Sequence, residues 1–265
     1  VTWIGALIRG LDRRLNHDDA PDLSRRLAGV LTCVTVTGVA GGLAWLVQVL
    51  LPAGWPGILL GGILVWPFVA LRAMHAHVAA VVRPLQAGDL AAARHAVSMI
   101  VGRDPSVLDQ AGVARAAMES LAENTSDGIV APLFWGALLG LPGIVGYKAI
   151  NTLDSMIGHR TPRFQAFGWA SARLDDLVNL IPARLTGALF ALASGRPGPA
   201  FTVMRRDARL HRSPNAGWPE SAMAGALGVR LSGPRIYASR IADEPWVNPG
   251  APDPGPADLQ RGLAL

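Results

Sequence analysis

The chain is poor in cysteine, in lysine and in charged residues generally. Its only cysteine is Cys33, which excludes a disulfide framework within one chain and a CxxC metal site. Charged residues make up 16% of the sequence, well below the ~25% of soluble domains. Walker A, GxSxG and dinucleotide-binding motifs are also absent, so any ATP site would have to be of a kind that those motifs do not describe.

Hydrophobic residues, by contrast, make up 51% of the 265 residues, which favours a membrane protein. The formal net charge is +5, and Lys148 is the only lysine, so arginine supplies nearly all of the positive charge. A basic chain can bind nucleic acid, but these arginines flank apolar segments, as charges beside membrane spans do. We therefore expect membrane lipid, and no nucleic acid, as a partner.

The longest uncharged run predicts a transmembrane hairpin over residues 28–71. No charged residue or histidine occurs between Arg26 and Arg72, and one helix needs ~20 residues to cross a bilayer. We expect spans over about 28–51 and 58–71, joined by the helix-breaking turn Pro52–Gly57. The second span is short unless it begins near Trp55. Arginines at both ends predict that both ends are cytoplasmic and that the turn lies outside.

Residues 72–127 are expected to form a cytosolic helical segment. Asp89–Val101 is an alanine-rich amphipathic stretch. Asp104 followed by Pro105 is typical of a helix start, with Asp as the N-cap and Pro at the first helical position.

Residues 128–195 are expected to be broken membrane helices. Gly128–Tyr147 is long enough to span, but prolines and glycines interrupt it, among them Gly140 and Pro142. A simple span would put the following basic residues outside the cell, against the positive-inside rule. A broken or re-entrant helix avoids this, because irregular backbone is tolerated where it lines a protein cavity.

The remaining chain is interpreted as a cytosolic segment, 196–243, and a proline-rich tail, 244–265, that is disordered or loosely attached. The predicted fold class is therefore all-α: a multi-pass helical membrane protein with broken or re-entrant helices and a cytosolic helical segment. We treat residues 1–265 as one membrane-embedded domain.

Polar residues lie just before the uncharged stretch Gly128–Tyr147. Glu123 and Asp127 are four residues apart, so both carboxylates share one face if the helix continues that far. Two carboxylates beside phosphates would suit Mg²⁺, which prefers one or two carboxylates plus phosphate oxygens. The structural alternative is a helix end capped by Asn124 and the two residues after it.

A second polar cluster lies just after the same stretch. Lys148 and Asn151 share one helical face, and Asp154 lies near its edge. A lysine at a membrane boundary is commonly a snorkelling anchor. As the only lysine of the chain, flanked by Asn and Asp, Lys148 favours a phosphate or carboxylate contact instead.

A third cluster pairs Arg173 with Asp176, and Asp175 with Asn179, at helical spacing. It could be an internal ion pair that holds the bundle together or a second set of metal-ligating aspartates, and both interpretations stay open. Arg184, surrounded by apolar residues, is expected to bind an anion or a buried carboxylate.

Residues 213–225 are typical of a loop that leads into a helix of small residues. Asn215, Trp218 and Glu220 could close over a substrate, while the alanines and glycines permit close helix packing. No histidines have metal-ligand spacing, and we interpret four of them as surface residues: His75, His77, His159 and His211.

Four motifs resemble the membrane-bound adenosylcobinamide-phosphate synthase family of cobalamin biosynthesis, the CobD/CbiB type. They are ENTSDG, YKAINTLDSMIG, ARLDDLVNLIPARLTG and SPNAGWPESAMAGALGVRL. The resemblance extends from about Val1 to Tyr237. The chain departs from the family at Ser232, where the family has Gly in an LGGP-like turn. The family also has an N-terminal hydrophobic segment before the position of Val1, so the sequence is expected to be truncated.

The resemblance implies ATP-dependent amide bond formation between adenosylcobyric acid and aminopropanol O-phosphate, giving adenosylcobinamide phosphate. It implies ATP as co-substrate, Mg²⁺ as cofactor, a multi-pass protein of the cell membrane with its site facing the cytoplasm, and association with other cobalamin-assembly enzymes. The expected catalytic residues are Glu123, Asp127, Lys148 and Asp154, with Asp127 and Asp154 as metal ligands. The expected substrate-binding residues are Asn124, Asn151, Arg173, Asp175, Asp176, Asn179, Arg184, Asn215 and Glu220.

Two alternatives remain. A Mg²⁺-dependent membrane prenyl transferase also uses Asp and Asn clusters on helices, although LDDLVN does not meet its DxxxD-type spacing well. A non-catalytic membrane scaffold or transporter would bind the ligands without turning over ATP.

Overall fold

The computed structural model describes residues 2–102, 104–237, 240–242 and 244–265, and its secondary structure is almost entirely helical. The helices are α1 Thr2–Leu15, α2 Asp22–Leu50, α3 Trp55–Val65, α4 Leu71–Gln86, α5 Leu90–Ser98, α6 Gln110–Thr125, α7 Ala131–Ile157, α8 Trp169–Val178, α9 Leu180–Ala193, α10 Pro197–Asp207, α11 Gly217–Leu227 and α12 Pro256–Leu263. A π-helical turn, Ser126–Val130, joins α6 to α7. Two short antiparallel pairs complete the fold: β1 Leu231–Ser232 with β4 Trp246–Val247, and β2 Arg235–Tyr237 with β3 Arg240–Ala242.

Three helical stretches of the described chain are long and apolar enough to cross a membrane: Asp22–Leu50, Trp55–Gln86 and Gln110–Ile157. The consecutive helices α8 and α9 make a fourth if they are counted together. The predicted class, an all-α protein with membrane-type helices, is confirmed. The predicted second span begins as the helix α3 at Trp55, and α3 ends at Val65, while the transmembrane hairpin over residues 28–71 stays a prediction.

The chain divides into two compact units. The first comprises Val1–Val69 and Ala131–Asn179, and the second comprises Ala70–Val130 and Leu180–Leu265. In the first unit, α2 packs along α7, and α1 and α8 each pack against both of these helices. Its core is aliphatic, with Ile4, Val36 and Leu153 fully buried.

The predicted break in the membrane helix lies at Gly140, whose φ of 67° and ψ of −146° interrupt α7. Trp135 and Gly143 would be ~12 Å apart along a straight helix. Here a Cβ on Gly143 would lie 2.1 Å from the Trp135 carbonyl oxygen, so α7 folds back on itself. The backbone N–H of Leu141, freed by this break, donates to Gln48 Oε1 at 2.7 Å. The break is therefore a tight helical hairpin whose exposed amide is satisfied from α2.

The second unit is built from small residues in close contact. A Cβ on Gly225 of α11 would lie 2.8 Å from Ala200 Cα of α10, and one on Gly217 would lie 2.2 Å from the Ala208 carbonyl oxygen. Almost every residue of α11 is buried. The close-packing role expected for this helix is confirmed.

The helix expected to start at Asp104 and Pro105 does not start there. The Asp104 carboxylate accepts a hydrogen bond from the Ser106 N–H, which forms a local turn, and α6 begins at Gln110 with Asp109 as its N-cap. An aspartate that binds the N–H two residues on stabilises a turn in competition with a helix.

The proline-rich tail is packed into the second unit, so the expectation of a disordered tail was wrong. Leu259 of α12 is fully buried, and Val247 pairs with Leu231. Asp253 accepts hydrogen bonds from Arg230 and Arg115, and both guanidinium groups stack on the Trp246 ring. Hydrogen bonding from Arg230, with the charge of Arg115, holds the pKa of Asp253 below its ordinary value despite some burial.

Candidate active site

The predicted site residues are distributed over both compact units. The first unit contains Lys148, Asn151, Asp154, Arg173, Asp175, Asp176 and Asn179. The second contains Glu123, Asn124, Asp127, Arg184, Asn215 and Glu220.

In the first unit, a buried hydrogen-bond chain links α7 to α8. Tyr147, which is 2% exposed, donates from its hydroxyl group to Asn179 Oδ1 at 2.9 Å. Asn179 in turn donates from Nδ2 to Asp175 Oδ2 at 3.0 Å. Because its two ends are fixed by Tyr147 and Asp175, the Asn179 amide has one defined orientation. The chain holds one oxygen of the Asp175 carboxylate in place.

The other oxygen of this carboxylate, Asp175 Oδ1, is buried and accepts no hydrogen bond of normal length among the described residues, although the Asn151 amide is close enough to interact with the carboxylate. Asn151 lies beside the same carboxylate, and the charges of Asp154 and Asp176 act on it. A buried, unsatisfied polar atom is costly, and such atoms in native structures commonly mark a catalytic role or a missing ion or water. The arrangement therefore points to a cation or a proton donor as the missing partner of Oδ1.

Lys148 belongs to the same cluster. Its Nζ donates to Asn151 Oδ1 at 3.3 Å. The predicted shared face of Lys148 and Asn151 is confirmed, and it places a lysine ammonium group at the edge of the carboxylate–amide cluster.

Both pairings predicted for α8 are present. Arg173 Nη1 lies 3.1 Å from Asp176 Oδ2, and Asn179 binds Asp175 as described. The first of these is the internal ion pair of one interpretation. Asp175, the residue before Asp176, has an open Oδ1, so the alternative interpretation as a metal ligand stays possible for Asp175.

In the second unit, Glu123 and Asn124 are exposed, and Asp127 is half-buried in the π-helical turn. The helix does continue past Glu123, but Asp127 lies in the wider π-helical turn, so the carboxylates of Glu123 and Asp127 do not have the spacing of a regular α-helix. α6 ends at Thr125 with Ser126 as its C-cap, in part as the alternative of a capped helix end has it, while Asn124 donates backwards to the Ser120 carbonyl oxygen. Single π turns within α-helices are frequent at functional sites.

Arg184 and Trp218 form a cation–π pair in the second unit. The Arg184 guanidinium lies 4.4 Å from the ring centroid of Trp218, and Nη1 donates to the Leu180 carbonyl at 2.6 Å. These contacts involve no carboxylate. An anion ligand for Arg184 stays a prediction.

Asn215 and Glu220 are both buried, and His211 lies beside Glu220. The distance from His211 Nε2 to Glu220 Oε1 is 3.8 Å, and the histidine side chain is only 7% exposed. The interpretation of His211 as a surface residue was therefore wrong. A Cβ on Gly217 would lie 2.7 Å from His211 Cβ, so the glycine leaves room for the histidine at this place.

Sequence reasoning missed two residues of these clusters. Tyr147 was treated only as the end of an apolar run, although the spacing Tyr147–Lys148–Asn151 already aligned it with the polar face. No sequence signal singled out His211, because its partner Glu220 lies on a separate helix.

The donors in the first unit suit a divalent cation together with a phosphorylated ligand. Among the described residues, no group of three or more His, Cys, Asp or Glu side chains could hold a metal ion. Mg²⁺ commonly takes only one or two carboxylates and completes its shell with phosphate oxygens and water. Asp154 and the open oxygen of Asp175 match such an incomplete set.

The fold and this cluster define an all-α protein of the membrane type, with a carboxylate–amide–lysine cluster set into broken helices. A family model described as CobD/Cbib protein matches residues 1–265. The chain belongs to the CobD/CbiB family of cobalamin biosynthesis proteins.

Curated relatives agree with this assignment. "Cobalamin biosynthesis protein CobD" of Rhodobacter capsulatus is 72% identical over 265 residues, which covers 100% of this chain and 83% of the relative. Proteins of the same name from a Sinorhizobium species and from Brucella suis are 48% and 45% identical, each covering 100% of this chain and 84% of the relative. No solved structure matches the chain.

Proposed function

We propose that the chain joins adenosylcobyric acid to aminopropanol O-phosphate in an ATP-dependent reaction that gives adenosylcobinamide phosphate. Family membership supports a step in cobalamin biosynthesis, and the motif resemblance indicates this step. The observation that carries the proposal is the carboxylate–amide cluster around Asp175, with a buried, unsatisfied oxygen beside a lysine.

An acyl phosphate route accounts for the atoms. A carboxylate oxygen of the corrinoid attacks the γ-phosphorus of ATP, and ADP leaves. The amine nitrogen of aminopropanol phosphate then attacks the acyl carbon, the C–N bond forms and inorganic phosphate leaves. The proton lost from nitrogen needs an acceptor, and a positioned carboxylate is the usual general base.

The residues of the first unit match these roles. Asp154 and Asp175 are the candidate proton acceptors, and Asp175 is oriented by Asn179. Lys148 and Arg173 offer positive charge to developing negative charge on transferring phosphate, which preorganised donors stabilise strongly. Glu123, Asp127 and the polar residues of the second unit keep their predicted roles in substrate binding and catalysis.

Mg²⁺ is part of the proposal. When bound, it would neutralise charge on the transferring phosphate. Asp154 and the open oxygen of Asp175 are the candidate ligands within one unit, and the carboxylate that does not hold the ion would accept the proton. Asp127, the other predicted ligand, belongs to the second unit.

We also propose that the protein lies in the cell membrane with its site on the cytoplasmic side. The arginines that flank the hairpin support this orientation. Cysteine substitutions of Arg26 and Arg72 should resist a membrane-impermeant thiol reagent applied to intact cells, while a cysteine in the 52–57 turn should react. Reaction at both arginine positions would contradict the orientation.

The test of function is turnover by the full-length protein, purified in lipid, with Mg-ATP and the two substrates. Expected are one ADP and one amide product per cycle, with the product identified by its mass. A lipid-linked product would support the prenyl transferase alternative instead. Ligand binding without ADP formation would support a scaffold or transporter.

A further inference from the structure

A pocket of about 260 Å³ lies in the first unit, next to the carboxylate–amide cluster. Three arginines and a histidine line it, and no acidic residue is part of the lining: the basic residues are Arg26, His159, Arg160 and Arg173. A concave surface with several cationic side chains and no carboxylate of its own is suited to an anion.

The pocket is formed by three pieces of the first unit. The first turns of α2 supply Arg26, the residues just after α7 supply Arg160, and α8 supplies Arg173. The N-cap of α8, Gly168, also lines the pocket and has no side-chain cap. Backbone N–H groups at a helix N-terminus add to the attraction for an anion.

Two contacts join this pocket to the acidic cluster. Gly158 is part of the pocket wall, and a Cβ built on it would lie only 2.0 Å from Asp154 Oδ1. Arg173 of the pocket pairs with Asp176 at 3.1 Å, and the charge of Arg160 also acts on Asp176. A cationic pocket and an anionic cluster therefore lie side by side.

The cationic side keeps unneutralised charge. Arg173 forms an ion pair with Asp176, which partly neutralises its charge. Arg26 is exposed and forms no ion pair with any residue that the structure describes. An arriving anion therefore finds a guanidinium group that no carboxylate already occupies.

We propose that this site binds the small phosphorylated amino alcohol, with the phosphate in the pocket at Arg26 and Arg160 and the ammonium group at Asp154. The identity of the ligand rests on the proposed function. A dianionic phosphate and a cationic amine on one short chain match the adjacent opposite charges. The volume of about 260 Å³ suits such a molecule better than a nucleotide, since pockets for larger ligands span roughly 300–1,000 Å³.

The experiment is calorimetric titration of the full-length protein in nanodiscs of neutral lipid with three probes. Aminopropanol phosphate carries both charges, propanol phosphate lacks the amine, and aminopropanol lacks the phosphate. The wild-type protein should bind the first most tightly. Arg160→Gln and Arg26→Gln should each weaken binding of the two phosphate-bearing probes by roughly 10-fold or more, the range expected for a lost charged hydrogen bond.

Asp154→Asn should weaken aminopropanol phosphate and leave propanol phosphate unchanged. Arg13→Gln removes an exposed arginine of α1 outside the pocket and should leave every affinity unchanged. Both pocket arginines are exposed, so their replacement should not unfold the protein, and size-exclusion chromatography checks this.

Wild-type affinity for propanol phosphate in both arginine variants would overturn the proposal. So would loss of phosphate binding when phosphatidylglycerol replaces the neutral lipid, because the pocket would then be a site for lipid headgroups. Binding as described without any amide synthesis would instead overturn the proposed function and leave the pocket assignment intact. Amide synthesis with an unchanged KM for aminopropanol phosphate in the arginine variants would overturn the pocket assignment and leave the proposed function intact.

Discussion

Buried carboxylates in the two compact units are held by different partners. In the second unit, Glu119 accepts the Ser232 N–H at 2.8 Å, and Asp207 accepts from Arg206 and from the Asn248 N–H. In the first unit, Asp175 keeps one buried oxygen open. Burial alone therefore does not distinguish a structural carboxylate from a chemical one, and the hydrogen bonds of each carboxylate have to be compared as well.

The largest expected effect tests this difference directly. Asp175→Asn keeps the shape of the side chain but removes its charge, and turnover per folded molecule should fall by roughly 10²–10⁴-fold, as for loss of a general base. Asp154→Ala and Asp127→Ala should also abolish synthesis while the protein remains folded in the membrane. Steady-state kinetics at limiting Mg²⁺ measure all three.

The matched control is Asp253→Asn, the same chemical change at a carboxylate that two arginines satisfy in the second unit. It should lower thermal stability and leave turnover per folded molecule unchanged. Near-normal turnover in the Asp127 and Asp154 variants would show that these carboxylates are structural.

The next effect concerns Lys148. Lys148→Met keeps the apolar stem and loses the charge, so activity should almost disappear, by about 100-fold or more if a charge-stabilising donor is lost. Lys148→Arg should retain some activity, because arginine keeps the charge in a different shape. The measurement is turnover with separate KM values for ATP and aminopropanol phosphate. A Met variant that is poorly expressed but kinetically normal would make Lys148 a membrane anchor.

A third change tests whether the tail belongs to the second unit. Leu259→Ala removes a fully buried side chain and should destabilise the protein by about 2–5 kcal/mol. Leu210→Ala, at a leucine 54% exposed in the same unit, should have a much smaller effect. Thermal denaturation in detergent compares the two. Equal stabilities would mean that the tail does not contribute to the core in solution.

The smallest effect is expected at Ser232, a non-glycine residue with a φ of 61°. The left-handed conformation costs a non-glycine residue roughly 1–2 kcal/mol, part of which glycine regains as unfolded-state entropy. Ser232→Gly should therefore be neutral or stabilising by less than about 1 kcal/mol. A clear loss of stability would show that the serine side chain contributes more than its backbone costs.

Much of the first unit could be predicted from the sequence because its signals are local. An uncharged run and helix-breaking residues predict two apolar helices, found as α2 and α3, and the break at Gly140. The spacing of Lys148 and Asn151 predicts their shared face. The unsatisfied oxygen of Asp175 could not be predicted, since it depends on how α7 and α8 pack.

The second unit was predicted less well because its order depends on distant residues. The prolines of the tail suggested disorder, but Asp253 is fixed by Arg115, which lies 138 residues earlier in the chain. Composition cannot show such a partner. His211 was assigned to the surface for the same reason, since its neighbour Glu220 belongs to another helix.

The turn within α7 at Gly140 links the folding of this helix to the order in which the chain is synthesised. The backbone N–H of Leu141 depends on the Gln48 side chain, which lies 93 residues earlier. During synthesis α2 is complete first, so Gln48 sits as a polar amide in an apolar helix until the later segment reaches it. In hydrocarbon each of these groups is costly while unpaired. The hairpin therefore gains its polar partner from a helix that is already in place, and insertion of α2 becomes a condition for closing the turn.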